Sequence, residues 1–169
     1  MQGLNICQHE TRLCDMETIR LIYSSHARPD LGYDDLRQII DAAAEHNEQQ
    51  GISGILCYSS GAFLQALEGR RTIVNELYNR ITRDPRHTDC EILNCGPIEV
   101  RSFIDWSMKM ISWDEAYTPR RRALVLRHSG MQVFEPWTMT GGQAHGFLRE
   151  LAELERRKEL RVPNDKMLA

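Results

Sequence analysis

The chain has 169 residues, a length that suits one domain burying roughly 70% of its unfolded surface. Its net charge of −3, with both signs interspersed, excludes an electrostatic footprint for nucleic acid, and no apolar run approaches the roughly 18 residues of a membrane span. The five cysteines form no C-x-x-C pair and residues 1–15 lack a signal-peptide apolar region, so a cytoplasmic protein without a disulfide framework or zinc site is expected.

Residues 1–17 show no periodicity and are expected to form a loose leader; Met16 is an alternative start. Ile19–Ser25, "IRLIYSS", is rich in β-formers and predicts a first strand with Ile19, Leu21, Tyr23 and Ser25 on one face. Asp34–Gln50 predicts a helix ended by Gly51, with a stripe of Leu36, Ile40, Ala43 and Asn47 flanked by Ile39. The run "SGILCYSSGAFLQAL" predicts a hairpin, Gly54–Tyr58 and Ala62–Leu67 about a Ser-Ser-Gly turn. Arg71–Asp84 predicts a second amphipathic helix stopped by Pro85, with Ile73, Val74, Leu77 and Ile81 inward. Short strands are expected at Glu91–Asn94, bracketed by Cys90 and Cys95, and at Trp106–Trp113.

This β-α-β-β-α-β order plus one more strand specifies an α+β, ferredoxin-like fold with two helices on one face of an antiparallel sheet. Residues 119–128 and 143–160 predict two further helices. The second carries Phe147, Leu148, Leu151 and Leu154 on one side, which must be buried on its own sheet or on another subunit. The expected division is therefore a leader at 1–17, an α+β domain at 18–113 and a helical segment at 114–169.

Three polar residues fall on faces that should be buried. Tyr23 shares its face with Ile19 and Leu21, Asn47 continues the helical stripe, and Gln65 lies between Phe63 and Leu67. A buried amide or hydroxyl without a partner costs on the order of 1–3 kcal/mol. Internal partners would satisfy them in a colourless interaction module. Alternatively, a cleft between the two helices, walled by Asn47, Arg80, Ile81 and Asp84 and floored by Gln65 and Tyr23, suits a flat heteroaromatic ligand. A third reading, an acylphosphatase-like hydrolase, would need a glycine-rich phosphate loop beside the first strand; "YSSHARPD" lacks one.

Together "LIYSS", "HNEQQGISGILCYSSGAFLQALEG", "RITRDPRH" and "WSMKMIS" resemble the BLUF family of blue-light sensors over residues 18–113. The remaining segment is similar, more weakly, to the two-helix cap of short stand-alone cyanobacterial-type members. The resemblance implies a flavin held between the helices, FAD first and FMN or riboflavin as alternatives. It implies that Gln65 bridges Tyr23 and the flavin, that Asn47 bonds the ring edge, and that His46, Arg86 and His87 contact its remaining polar side with Asp84 nearby. Ile39, Phe63 and Ile81 would pack on the ring, Ser25 would support Tyr23 and Gln65, and Trp106 and Met108 would form a last-strand pair beside the glutamine. Ala43 stands where several relatives have a serine. The implied photochemistry is light-driven electron and proton transfer from Tyr23 through Gln65, leaving the glutamine with changed hydrogen bonds and a red-shifted spectrum, without substrate turnover. With no room in 114–169 for a cyclase or phosphodiesterase, the expected output is a change in assembly, as a dimer or larger ring, or in affinity for a separate signalling protein.

Overall fold

The computed structural model describes residues 17–106, 108–112 and 119–159. The leader, Met16, Cys7 and Cys14 lie outside these residues. Five strands form one sheet: β1 (Thr18–Ala27), β2 (Ser53–Ser59), β3 (Ala62–Arg70), β4 (His87–Pro97) and β5 (Lys109–Ser112). Their spatial order is β4-β1-β3-β2-β5. The first four are antiparallel, with Tyr23 opposite Gln65 and Leu56 opposite Gln65 on the other side. The fifth runs parallel to β2, so the sheet is mixed rather than antiparallel throughout.

Local chemistry sets the boundaries. Helix α1 (Tyr33–Gln50) begins where Asp35 accepts the Gly32 N–H at 3.0 Å, and the Asp34 and Asp35 charges favour that end of the helix dipole. It stops at Gly51, whose φ of 66° is left-handed. The β2–β3 loop is two residues, Ser60 and Gly61, both at positive φ, which is the twist a tight hairpin needs.

Helix α2 (Arg71–Ile81) ends three residues earlier than expected. The residue before Pro85 resists helical geometry, and successive tight turns carry the chain to β4, with Asp84 N–H donating to Ile81 O and His87 N–H to Asp84 O. Strand β4 is much longer than Glu91–Asn94, and Cys90 and Cys95 lie inside it rather than bracketing it. It is an edge strand with two irregularities against β1, so its alternation is masked by exposed positions. Strand β5 starts only at Lys109, leaving Trp106 and Met108 in the segment that leads into it.

Each sheet face has its own core. Helices α1 and α2 cover Ile19, Leu21, Tyr23, Leu56, Phe63 and Leu67. On the opposite face, α3 (Pro119–Ser129), a 3-10 turn (Pro136–Thr138) and α4 (Gly141–Glu159) enclose Ile22, Ile55, Cys57, Leu64 and Ala66. Phe147, Leu148 and Leu151 are buried in that second cluster, and Leu154 packs on its margin. The apolar side of α4 is therefore spent on the chain's own sheet, which removes the reason for expecting it to bind another subunit.

Candidate functional site

A cleft of about 320 Å³ opens between α1 and α2 above the centre of the sheet. Its size falls at the lower end of the roughly 300–1,000 Å³ typical of small-molecule sites. Ile39, Ala43, His46 and Asn47 reach it from α1; Leu77, Arg80 and Ile81 reach it from α2. Tyr23, Leu56, Gln65 and Met108 form the floor, and Asp84, Arg86 and His87 close one end.

The floor carries a directed hydrogen-bond chain. Tyr23 Oη donates a short bond to Gln65 Oε1, and Gln65 Nε2 donates to Met108 Sδ at 3.3 Å. Tyr23 is 0% exposed and Gln65 5%. Burial pushes the Tyr23 phenol well above its ordinary pKa, with smaller contributions from Cys90, Tyr78 and Asp84, so the oxygen keeps its proton near neutral pH. The Tyr78 ring meets Tyr23 edge-on at 5.3 Å. Asn47 is also 0% exposed; its Oδ1 accepts no hydrogen bond among the described residues, while other contacts hold the residue.

The closed end is neutralised internally. Arg86 donates through Nε to both Asp84 oxygens at 2.9 and 3.0 Å and through Nη2 to Oδ2, and its backbone N–H adds a fourth bond at 2.9 Å. These bonds hold the Asp84 carboxyl below its ordinary pKa. Burial pushes the His87 imidazole down to about 4, leaving it neutral near pH 7. Ser25 Oγ lies 2.9 Å from His87 Nδ1. Ser25 is thus behind the cleft rather than in its lining. Phe63 is likewise behind it, its ring tilted against Tyr58 at 5.0 Å and His87 at 4.5 Å.

Trp106 and Met108, paired on sequence spacing, separate to opposite faces. Met108 is on the cleft floor, whereas Trp106 packs against the α4-side core with the Arg156 guanidinium 4.9 Å from its ring. Sequence reasoning missed Leu56, Leu77, Ala42 and Tyr78 around the cleft, because apolar and aromatic residues at helical or strand spacing carry no functional signal of their own. It also missed Glu68, a carboxylate in the same apolar strand as Gln65. Among the described residues, no cluster of His, Cys, Asp and Glu could hold a metal ion, and no helix is long and apolar enough to cross a membrane.

Residues 18–109 match the family model described as sensors of blue-light using FAD. The chain belongs to the BLUF family. It is 37% identical over 95 residues to the photoactivated adenylate cyclase subunit beta of Euglena gracilis, and 35% identical over 83 residues to the blue light- and temperature-regulated antirepressor BluF of Escherichia coli K12. These matches cover 56% and 49% of the chain but only 11% and 21% of the relatives' lengths. Among solved structures, the photo-activated state of BlsA superposes with a TM-score of 0.72 at 32% identity, covering 79% of this chain and 94% of that one. The dark state of BlrB superposes with a TM-score of 0.66 at 28% identity, covering 83% and 98%.

The residues present fit a flavin of the kind the BLUF description names. The cleft has apolar walls that can accept a flat ring, and its polar groups include two amides, Asn47 and Gln65, each able to donate and accept.

Proposed function

We propose that this chain is a blue-light photoreceptor whose switch is the side-chain amide of Gln65. The observation that carries this reading is the buried chain Tyr23 Oη to Gln65 Oε1 and Gln65 Nε2 to Met108 Sδ, on the floor of the cleft. Bound flavin supplies blue-light absorption and an excited state able to take up an electron. Asn47, His46, Arg80, Arg86 and His87 would hold its polar edges, and Ile39, Ile81 and Leu77 would exclude water from the ring faces.

The two ends of Gln65 are not equivalent in their surroundings. With Oε1 toward Tyr23 and Nε2 toward the sulfur, both of its partners are matched. Exchanging the ends by rotation, or the amide's character by tautomerisation, makes Tyr23 an acceptor instead of a donor. Rotation also sets Oε1 against a sulfur that can only accept, so the Met108 bond is lost. Met108 immediately precedes β5, which is parallel to β2 at the sheet edge. A change at Gln65 therefore reaches the strand leading to α3 and α4. The response takes the form of altered assembly or altered affinity for a signalling partner, without substrate turnover. The unit doing so comprises residues 18–113, with 114–169 as the responding cap.

The test is an absorption spectrum of the protein purified with FAD, before and after blue light. A flavin spectrum that shifts slightly to the red and returns in darkness is expected. Bleaching without a red shift, or no bound flavin at all, would contradict the reading.

A further inference from the structure

The floor of the cleft carries a reactive atom that the hydrogen-bond chain uses only as an acceptor. Met108 Sδ receives the Gln65 Nε2–H at 3.3 Å, and a thioether is a weak acceptor. The residue is 8% exposed and lines the cleft beside Gln65. Its terminal methyl packs beside Gly54, 3.5 Å from where a Cβ would stand, while the sulfur is turned to the amide. Two other methionines set the contrast. Met139 is 4% exposed inside the opposite core, and Met131 is 42% exposed on the loop after α3; neither lines the cleft.

Hydrogen peroxide is little larger than water and converts a thioether to a sulfoxide. The sulfur lone pair attacks one peroxide oxygen, the S–O bond forms and the O–O bond breaks. The proton of the transferred hydroxyl passes to the departing hydroxide, which leaves as water. Sulfur is oxidised by two electrons and the peroxide is reduced by two. At Met108 the product places a strong, acceptor-only oxygen beside Gln65. In the present orientation Nε2–H gains a better partner. With the ends exchanged, Oε1 meets another acceptor. Both effects favour the orientation with Oε1 on Tyr23. We propose that Met108 is an oxidation site and that its sulfoxide holds Gln65 in this orientation, so that peroxide desensitises the protein to light. This inference rests on the flavin reading of the cleft and on rotation of the Gln65 amide.

The experiment treats FAD-loaded full-length protein with hydrogen peroxide in darkness. Added oxygen is located by peptide mass mapping, and dark recovery is timed after a blue flash. Met108 should gain one oxygen, and the oxidised protein should return to its dark spectrum about tenfold faster, the weight of one good hydrogen bond. Leucine keeps the volume and has no sulfur, so Met108→Leu should recover at one rate with and without peroxide. Met131→Leu should respond to peroxide as the parent does, which separates the cleft floor from surface oxidation. Oxidation at Met131 that spares Met108, or unchanged recovery in protein oxidised at Met108, would overturn the proposal and leave the flavin cleft standing. So would an equal response to peroxide in Met108→Leu. Failure to hold FAD before peroxide is added would overturn the flavin reading itself, and the effect of the sulfoxide with it.

Discussion

Two carboxamide- and carboxylate-bearing positions on one strand, Gln65 and Glu68, point to opposite faces of the sheet and are equally inaccessible to water, yet their surroundings differ. Glu68, 0% exposed, accepts from Arg20 Nε at 2.6 Å, from Ser102 N–H at 3.0 Å and from Phe103 N–H at 3.0 Å. Arg20 also donates to Ser102 Oγ at 2.8 Å, and Ser102 Oγ lies 3.1 Å from His145 Nε2 on α4. Every one of those donors is fixed in kind, so the carboxylate has one arrangement and serves as an anchor between β3, the β4–β5 connection and α4. Among the described residues Gln65 has one strong partner and one weak one, and its two ends are nearly isosteric. Burial alone therefore does not decide whether a polar group is rigid or switchable. The number of partners, and whether each can reverse its role, decides it.

The largest expected break of this contrast is Glu68→Ala. It removes the carboxylate partner of the part-buried Arg20 guanidinium and leaves two backbone amides without their acceptor, and should cost about 3 kcal/mol of stability in denaturant unfolding. A loss under about 1 kcal/mol would show that Glu68 is not an anchor.

His87 should make the cleft face acid-sensitive. The unfolded chain takes up a proton at His87 below about pH 6.5, whereas the folded chain refuses it until about 4. Stability therefore falls as pH drops through that window, by up to about 3 kcal/mol, and this contribution is flat above it. Asp84, held low by Arg86, acts in the same direction below the ordinary carboxylate range. Unfolding measured between pH 7 and 4 should show this slope in the parent and a shallower one in His87→Gln. An unchanged slope in the variant would assign the effect elsewhere.

A smaller stability change is expected for Tyr23→Phe, about 1–3 kcal/mol, because the Gln65 oxygen loses its donor. Its functional effect is larger: the light-induced red shift should vanish although flavin remains bound. An unaltered difference spectrum would remove Tyr23 from the switch.

Strand and helix order was legible because periodicity changes clearly along the chain, and the cleft was legible because Tyr23, Asn47 and Gln65 interrupt apolar patterns. Other features were hidden for physical reasons. Strand β4 sits at an edge with only one covered flank, so its residues do not alternate. The parallel pairing of β5 depends on a long-range register that no local pattern encodes. Trp106 and Met108, two positions apart, suggest one strand face, but the strand begins after both and the irregular segment sends them apart. Glu68 was hidden by its surroundings: an acidic residue near the end of a strand suggests solvent, and the donors that bury it come from residues distant in sequence.

The central claim is that the Gln65 amide, rather than the cleft as a whole, converts light into a structural signal. Its most direct test is the light-minus-dark absorption spectrum of Gln65→Leu loaded with FAD, beside the parent protein. The variant should bind flavin and show no red-shifted, dark-reverting state. A red shift of normal size in Gln65→Leu would contradict the account.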